Sequence, residues 1–329
     1  MRTTNSDTAI ILVNWNRWNE IDRVLRLLLV RLDPSCEVIV VDNGSSTKPS
    51  FAWQNLARVK FIFLTKNLGP CHARNVGILA ASREFVFFLD SDAILSRRAL
   101  SVCVARMRSE PDLGLIGCRI NRGFEHQLDQ WIYVQARRLR QRQSFDTYSF
   151  SAAGALARRE LLLQIGGFNE DLYIYNEEVD LSLRILKKGY RISYDSAARV
   201  YHFPCAAGSR SRSFYWRMMI RNWIWIFFRY YPPAEALRRA SERSLIYLLK
   251  GIYAHSTLSI LCGILEGFAG ARRFANEDAK LSPELIAKID RLNPRQEIIW
   301  GPKERRAFAK NRMPLSLRPE TGRAPLRRA

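Results

Sequence analysis

No two of the six cysteines are close enough in sequence for a zinc knuckle or a redox pair; they stand apart at 36, 71, 103, 118, 205 and 262. Cys103 and Cys118 fall in apolar runs, so buried, reduced thiols of a cytosolic protein are expected. A secretory leader is not expected, because the first apolar run, Ala9–Val13, is short and leads into Asn14 and Asn16. One stretch, Leu245–Phe268, is apolar enough to raise a membrane span. Lys250, His255 and Glu266 interrupt it, which favours a surface or interfacial helix. Acids are few relative to bases, 31 against 52, giving a net charge of +21 and favouring polyanionic partners. The excess is uneven: from Phe203 onward there are 24 Lys and Arg against 10 Asp and Glu. A solvated charged surface accounts for the same balance.

What is present suffices for a core. Hydrophobic residues make up 47% of the chain and aromatics 11%, enough for one large core or two modest ones and too much for disorder over most of the length. The first half alternates two kinds of segment. Ala9–Val13, Glu37–Val41, Val59–Phe63, Phe85–Leu89 and Leu113–Gly117 are short continuous apolar runs, as in strands buried on both faces. Glu20–Leu32, Pro70–Ala81 and Ser96–Met107 read as helices, the second with Pro in its first turn and the third with Ser96 as N-cap. Such alternation predicts an α/β fold with a mostly parallel, Rossmann-like sheet. Ligands of these sheets bind at the carboxyl ends of the strands, where Asn14, Asp42, Asp90 and Asp92 stand.

Beyond this half, residues 121–146 read as an irregular or helical insertion, and Arg199–His202 is strand-like. Asn176–Gly189 reads as a helix capped by Asn176 and stopped by Gly189, with Glu177, Glu178 and Asp180 at the positive end of its dipole. Aromatic, basic helices follow over Phe214–Tyr231 and Ala234 to about Phe274, separated by Pro232 and Pro233. Residues 302–329, rich in Pro and Arg, read as a disordered tail.

Several segments invite a chemical reading. Asp90 and Asp92, two carboxylates directly beyond a buried strand, suit a hard divalent cation, although acids there also serve as helix caps. Asp42 to Ser46 forms a turn eased by Gly44, and Asp42 is placed to accept from a base or sugar. Asn67 to Asn75 leads into a helix whose N-terminus, with Arg74, suits an anion or a nucleobase; His72 receives no role. Three carboxylates in one turn at Glu177, Glu178 and Asp180 repel one another, which raises the pKa of one and suits it to general-base work; their helix-dipole role is the plainer reading. Trp216, Trp223 and Trp225, interleaved with Arg217, Arg221 and Arg229, suit either a membrane or nucleic acid; packing of an aromatic helix face on the α/β domain explains them equally well.

Taken in order, Val13–Asn16, Val40–Ser45, Asn67–Gly69 with Ala73–Asn75, Phe88–Asp92, Gly166–Phe168, Glu177–Arg184 and Ala198–His202 resemble the family 2 glycosyltransferases of the GT-A fold, over about residues 8–203. The nearest likeness is to bacterial rhamnosyltransferase-like and galactofuranosyltransferase-like members. The resemblance implies a GT-A catalytic domain over 1–205, with a nucleotide-binding half at about 8–118 and an acceptor-side half at about 119–205. A helical extension over 206–301 and the tail complete the chain. It further implies metal-dependent inverting transfer of a sugar from a nucleotide-diphosphate donor to a hydroxyl of a saccharide or lipid-linked acceptor, in cell-surface polysaccharide or glycolipid synthesis. Asp42 would contact the nucleobase, helped by Asn14 and Arg74, with Asn67 on the same donor side. Asp90 would face the ribose and the metal, Asp92 would ligate Mn2+ or Mg2+, and His202 would complete that site. Glu178 falls where the family places its catalytic base, commonly Asp, and Glu177 would orient the acceptor. Asn169 replaces the usual Asp after Gly166–Phe168, a change that Glu170 and Asp171 make tolerable.

Two alternatives stay open. A nucleotidyltransferase would share the sheet and the acids, yet Val13–Asn16 lacks a glycine-rich basic phosphate loop. A non-catalytic membrane or nucleic-acid binder would explain the charge. Of these partners, an anionic membrane surface reached through the C-terminal basic helices is preferred to nucleic acid, with the protein cytoplasmic or loosely held at the inner face of the cell membrane.

Overall fold

The computed structural model describes residues 7–49, 58–124, 142–204 and 211–292. The expected tail over 302–329 and most of the expected 121–146 insertion lie outside them. Strands β1 (Thr8–Asn14), β2 (Glu37–Asp42), β3 (Val59–Phe63) and β4 (Phe85–Asp90) pair in parallel in the order β3-β2-β1-β4. Helices α1 (Trp18–Arg31) and α2 (Pro70–Ala80) connect them. Both faces are covered, which is why the strands are apolar throughout. On β1, Ile10 and Leu12 join a core with α1, whereas Ala9 and Ile11 join a second core with α2.

Past β4 the sheet becomes mixed. The short β5 (Ala93–Leu95) precedes α3 (Ala99–Ser109), and β6 (Leu113–Arg122) is followed by β7 (Phe145–Thr147) and β8 (Gly154–Arg158). Helices α4 (Arg159–Gln164) and α5 (Glu177–Lys187) lead to β9 (Arg191–His202). The order continues β4-β8-β6-β9-β5, with β7 also on β9. β8 runs antiparallel to β4 and β6, β9 runs parallel to β6, and β5 runs antiparallel to β9.

Three expectations need correction. Ser96 does not cap α3, which begins at Ala99; its backbone N–H is bonded to the Arg199 carbonyl on β9 instead (3.0 Å). Asn176 precedes α5 with a φ of 63° and makes no side-chain cap, and its amide donates to the Met219 carbonyl (3.0 Å). The long helix expected from Ala234 to Phe274 is two helices, α7 (Pro233–Tyr253) and α8 (Thr257–Phe274), broken at His255, which has a φ of 49°. A local bond from the Ser256 N–H to the Gly251 carbonyl closes that turn.

Helix α6 (Arg212–Tyr230) joins the core of α2 and α5 through Trp216, Ile220, Trp223, Ile224 and Phe227. Its tryptophans thus follow the packing explanation: Trp216 and Trp223 are buried, and the Arg221 and Arg243 guanidinium groups lie over the Trp225 and Trp223 rings (4.1 and 4.2 Å). A final helix, α9 (Pro283–Leu292), closes the described chain.

Candidate functional site

The parallel register sets out one rim of the site. Asn14 stands opposite Asp42, and Val13 opposite Asp90, at the carboxyl ends of β1, β2 and β4. There the Asn14 amide donates to Asp42 Oδ1 (2.7 Å), which also accepts from the Ser45 hydroxyl (2.5 Å), while Asp42 Oδ2 accepts from the Ser45 N–H (3.0 Å). Gly44 makes this turn possible. Its φ is +71°, and a Cβ there would fall 2.4 Å from the backbone carbon of Lys66. Asn67 joins from the next loop, its Oδ1 accepting from Asn43 (3.0 Å), the Gly69 N–H (3.0 Å) and the Tyr173 hydroxyl (3.3 Å).

A second group forms where β5 folds back on β9. Ala93 pairs with His202, and the Phe203 N–H donates to the Asp92 carbonyl (2.8 Å), so the turn after β4 lies against the end of β9. His202 Nε2 consequently sits 3.2 Å from Asp92 Oδ1. One oxygen each of Asp90 and Asp92 and one nitrogen of His202 all lie within 4.8 Å of one another. Two carboxylates and an imidazole at that spacing form a donor set that fits a divalent cation. These three residues, from stretches more than a hundred positions apart, were all expected at one site.

The third group is centred on Arg74. This buried side chain from α2 lies over the Phe168 ring (5.4 Å), bonds Glu177 Oε1 (2.9 Å) and reaches Asp90 Oδ1 (3.5 Å). Burial opposes its charge, but Glu177, Asp90 and Glu178 more than offset that, and its pKa is raised. Glu177 is 3% exposed, and its Oε2 is buried with no hydrogen-bond partner among the described residues. Glu178, partly exposed, accepts weakly from the Ala152 N–H (3.4 Å). Burial and then the neighbouring Glu177 charge push the Glu178 carboxyl up to about 8, against the pull of Arg74. Asp180 stands apart from this chemistry: fully buried, it accepts from the Tyr230 hydroxyl (2.8 Å) and pairs with Arg184, tying α5 to α6.

Arg17 was not among the expected residues. Its N–H donates to Asn14 Oδ1 (3.1 Å) and its guanidinium to Asp92 Oδ2 (2.7 Å), so it bridges the β1–β2 rim to the acidic pair. The available signal was a cation three positions past Asn14, between a buried strand and its following helix. His72, given no role, pairs with Glu170 at 2.8 Å.

The arrangement has relatives. Residues 9–166 match the model of glycosyl transferase family 2. The pre-mycofactocin glycosyltransferase of Mycobacterium tuberculosis is 30% identical over 198 residues, 57% of this chain and 39% of that protein. The poly-beta-1,6-N-acetyl-D-glucosamine synthase of Staphylococcus aureus is 23% identical over 203 residues, 58% of this chain and 48% of that protein. The chain therefore spans less than half the length of these curated relatives. Among solved structures, Staphylococcus aureus TarS 1–349 superposes with a TM-score of 0.58 at 17% identity, covering 92% of this chain and 90% of that one. The mannosyltransferase PcManGT of Pyrobaculum calidifontis, solved with GDP-Man and Mn2+, superposes with a TM-score of 0.56 at 18% identity, covering 92% and 83%. At such identities these likenesses speak for the fold, which is of the GT-A type. The relatives' names specify N-acetylglucosamine and mannose, and the expected rhamnosyl-like or galactofuranosyl-like subtype is not among them. By its sequence over residues 9–166, this chain carries a glycosyl transferase family 2 domain.

Proposed function

We propose that the protein transfers a sugar from a nucleotide-diphosphate donor to an acceptor hydroxyl, with inversion at the anomeric carbon and a divalent cation at Asp90, Asp92 and His202. The observation carrying this reading is the approach of those three ligand atoms to within 4.8 Å, with Arg74 linking Asp90 to Glu177. The imidazole tips the donor set from Mg2+ toward a first-row ion such as Mn2+. Bound there, the cation supplies neutralisation of the charge that develops on the departing diphosphate.

The chain's own residues do the rest. Asn14, Asp42 and Asn67 form the wall for the base and ribose, with Arg74 on the donor side. Glu178 takes the proton from the attacking hydroxyl as the acceptor oxygen bonds to carbon. Glu177, with one oxygen held by Arg74 and the other without a protein donor, orients the acceptor by accepting from one of its hydroxyls. Saccharide and lipid-linked acceptors both fit this chemistry, in polysaccharide or glycolipid synthesis.

A thermal-shift series of nucleoside diphosphates with and without Mn2+ tests the reading. A shift with at least one of them that needs the cation supports it; no shift with any of them, in either condition, removes it. Pyrophosphate release from a nucleoside triphosphate and a sugar phosphate would instead assign nucleotidyl transfer.

A further inference from the structure

The helical extension carries an apolar surface that the sugar-transfer site does not use. α8 has two apolar stripes. One, through Ile260, Gly263 and Gly267, is buried against α6 and α7. The other faces away: Leu258 is 75% exposed and Leu265 70%, with Leu261 between them. The end of α7 matches it, with Leu249, Ile252 and Tyr253 each more than half exposed. Of the thirteen large apolar side chains exposed among the described residues, eight lie on α7 and α8, so the exposure is concentrated there and not scattered over the surface.

The geometry of the hairpin makes these residues neighbours in height. The helices reverse at 254–256, so Tyr253 stands level with Leu258 and Leu249 with Leu261. The hairpin is also firmly held. Gly251 lets α7 approach Ile260 closely, and Arg212 from α6 donates to the Ala254 carbonyl at the tip (3.0 Å).

Charge identifies the occupant. Between positions 243 and 273 the one acid, Glu266, is bonded to Arg217; of the cations, Arg243 lies over the Trp223 ring and Arg273 pairs with Asp171, while Lys250 adjoins Leu249 and Arg272 lies near the end of α8. An apolar face with Lys250 beside it, on a chain of net charge +21, repels a second copy of itself and attracts an anionic surface. No helix among the described residues is long and apolar enough to cross a membrane.

We propose that the α7–α8 hairpin seats the protein on an anionic lipid bilayer, its leucine face at the acyl-chain boundary and its cations among the head groups. This surface falls within Leu245–Phe268, the stretch expected as a surface or interfacial helix, whereas Trp216 and Trp223 of α6 are packed inward. The proposal stands on this surface and not on the transfer reaction.

Flotation of the full chain with vesicles of phosphatidylcholine, alone or mixed with phosphatidylglycerol, tests it. The protein is expected to float with the mixed vesicles and to be released in part by high salt. The combined Leu249→Gln, Leu258→Gln and Leu265→Gln variant is expected to partition at least about tenfold more weakly, with its circular dichroism and nucleotide-dependent thermal shift unchanged. The single Leu258→Gln variant should lie between. Wild-type protein that stays below both kinds of vesicle overturns the proposal, as does a triple variant that floats equally well. Flotation lost alongside a dimer that the same substitutions dissolve would assign the face to a second copy and also overturn it. Normal flotation without any nucleotide response sinks the transferase reading and leaves this one standing.

Discussion

Asp92 accepts from two cationic or potentially cationic side chains at once, Arg17 at one oxygen and His202 at the other. Replacing it with Asn keeps the size and removes the charge. Asp92→Asn is expected to weaken Mn2+ binding by on the order of 100-fold or more, measured by calorimetry, with turnover falling in parallel. Glu178 is perturbed in the opposite sense from an ordinary surface carboxylate. With its carboxyl pushed up to about 8, the ionised form that the proposed base role requires becomes populated as pH rises through that value. The transfer rate should therefore climb between roughly pH 6 and 9. Glu178→Gln should lose about 100-fold or more in rate along with that limb of the profile, while nucleotide affinity stays as it was. The linkage has a definite sign. Between 4.5 and about 8 the folded state holds a proton that the unfolded state has released, so this group's contribution to stability falls as pH rises. Glu178→Gln is accordingly expected to melt higher than wild type at about pH 8–9, and the difference should vanish below about pH 4.5. Equal melting temperatures at high pH would mean that Glu178 is not destabilised by burial.

At the scale of elements, two junctions build the site. β5 is only three residues long, yet its antiparallel pairing with β9 is what brings His202 to Asp92. The α6–α8 contact is set by glycine. A Cβ on Gly263 would fall 2.4 Å from the Arg217 carbonyl oxygen, and one on Gly267 2.6 Å from Ile224. α6 cannot move aside easily, because it is packed into the core on its other flank. Gly263→Val is expected to cost about 3 kcal/mol, seen as a lower urea midpoint with the slope unchanged. An unaltered midpoint would show that the two helices are not packed this closely.

Over the whole molecule, the extension and the sheet share a core. Trp223, Ile224 and Phe227 of α6 belong to the same apolar cluster as Ile78 of α2 and Leu181 of α5, and Tyr230 bonds the buried Asp180. Tryptophan fluorescence, to which α6 contributes three of the eight tryptophans, and far-ultraviolet circular dichroism should therefore follow one coincident unfolding transition. Two separated transitions would mean that the extension folds independently.

The sequence by itself determined the parallel half of the sheet. Ala9–Val13, Glu37–Val41 and Phe85–Leu89 are apolar on both faces, and only burial under helices on both sides satisfies that pattern. It also determined that Asn14, Asp42 and Asp90 reach the same edge, since parallel strands end together. Tertiary structure decided what periodicity cannot express. The three-residue β5 carries no pattern of its own and exists because β9 offers it an edge. Arg17 has its place through a contact seventy-five positions away. Which of α8's two apolar faces is buried was settled by glycines that let one face approach α6 and leave the leucines on the other outside. Such choices depend on distances between segments remote in the chain, and a local run of residues holds no record of them.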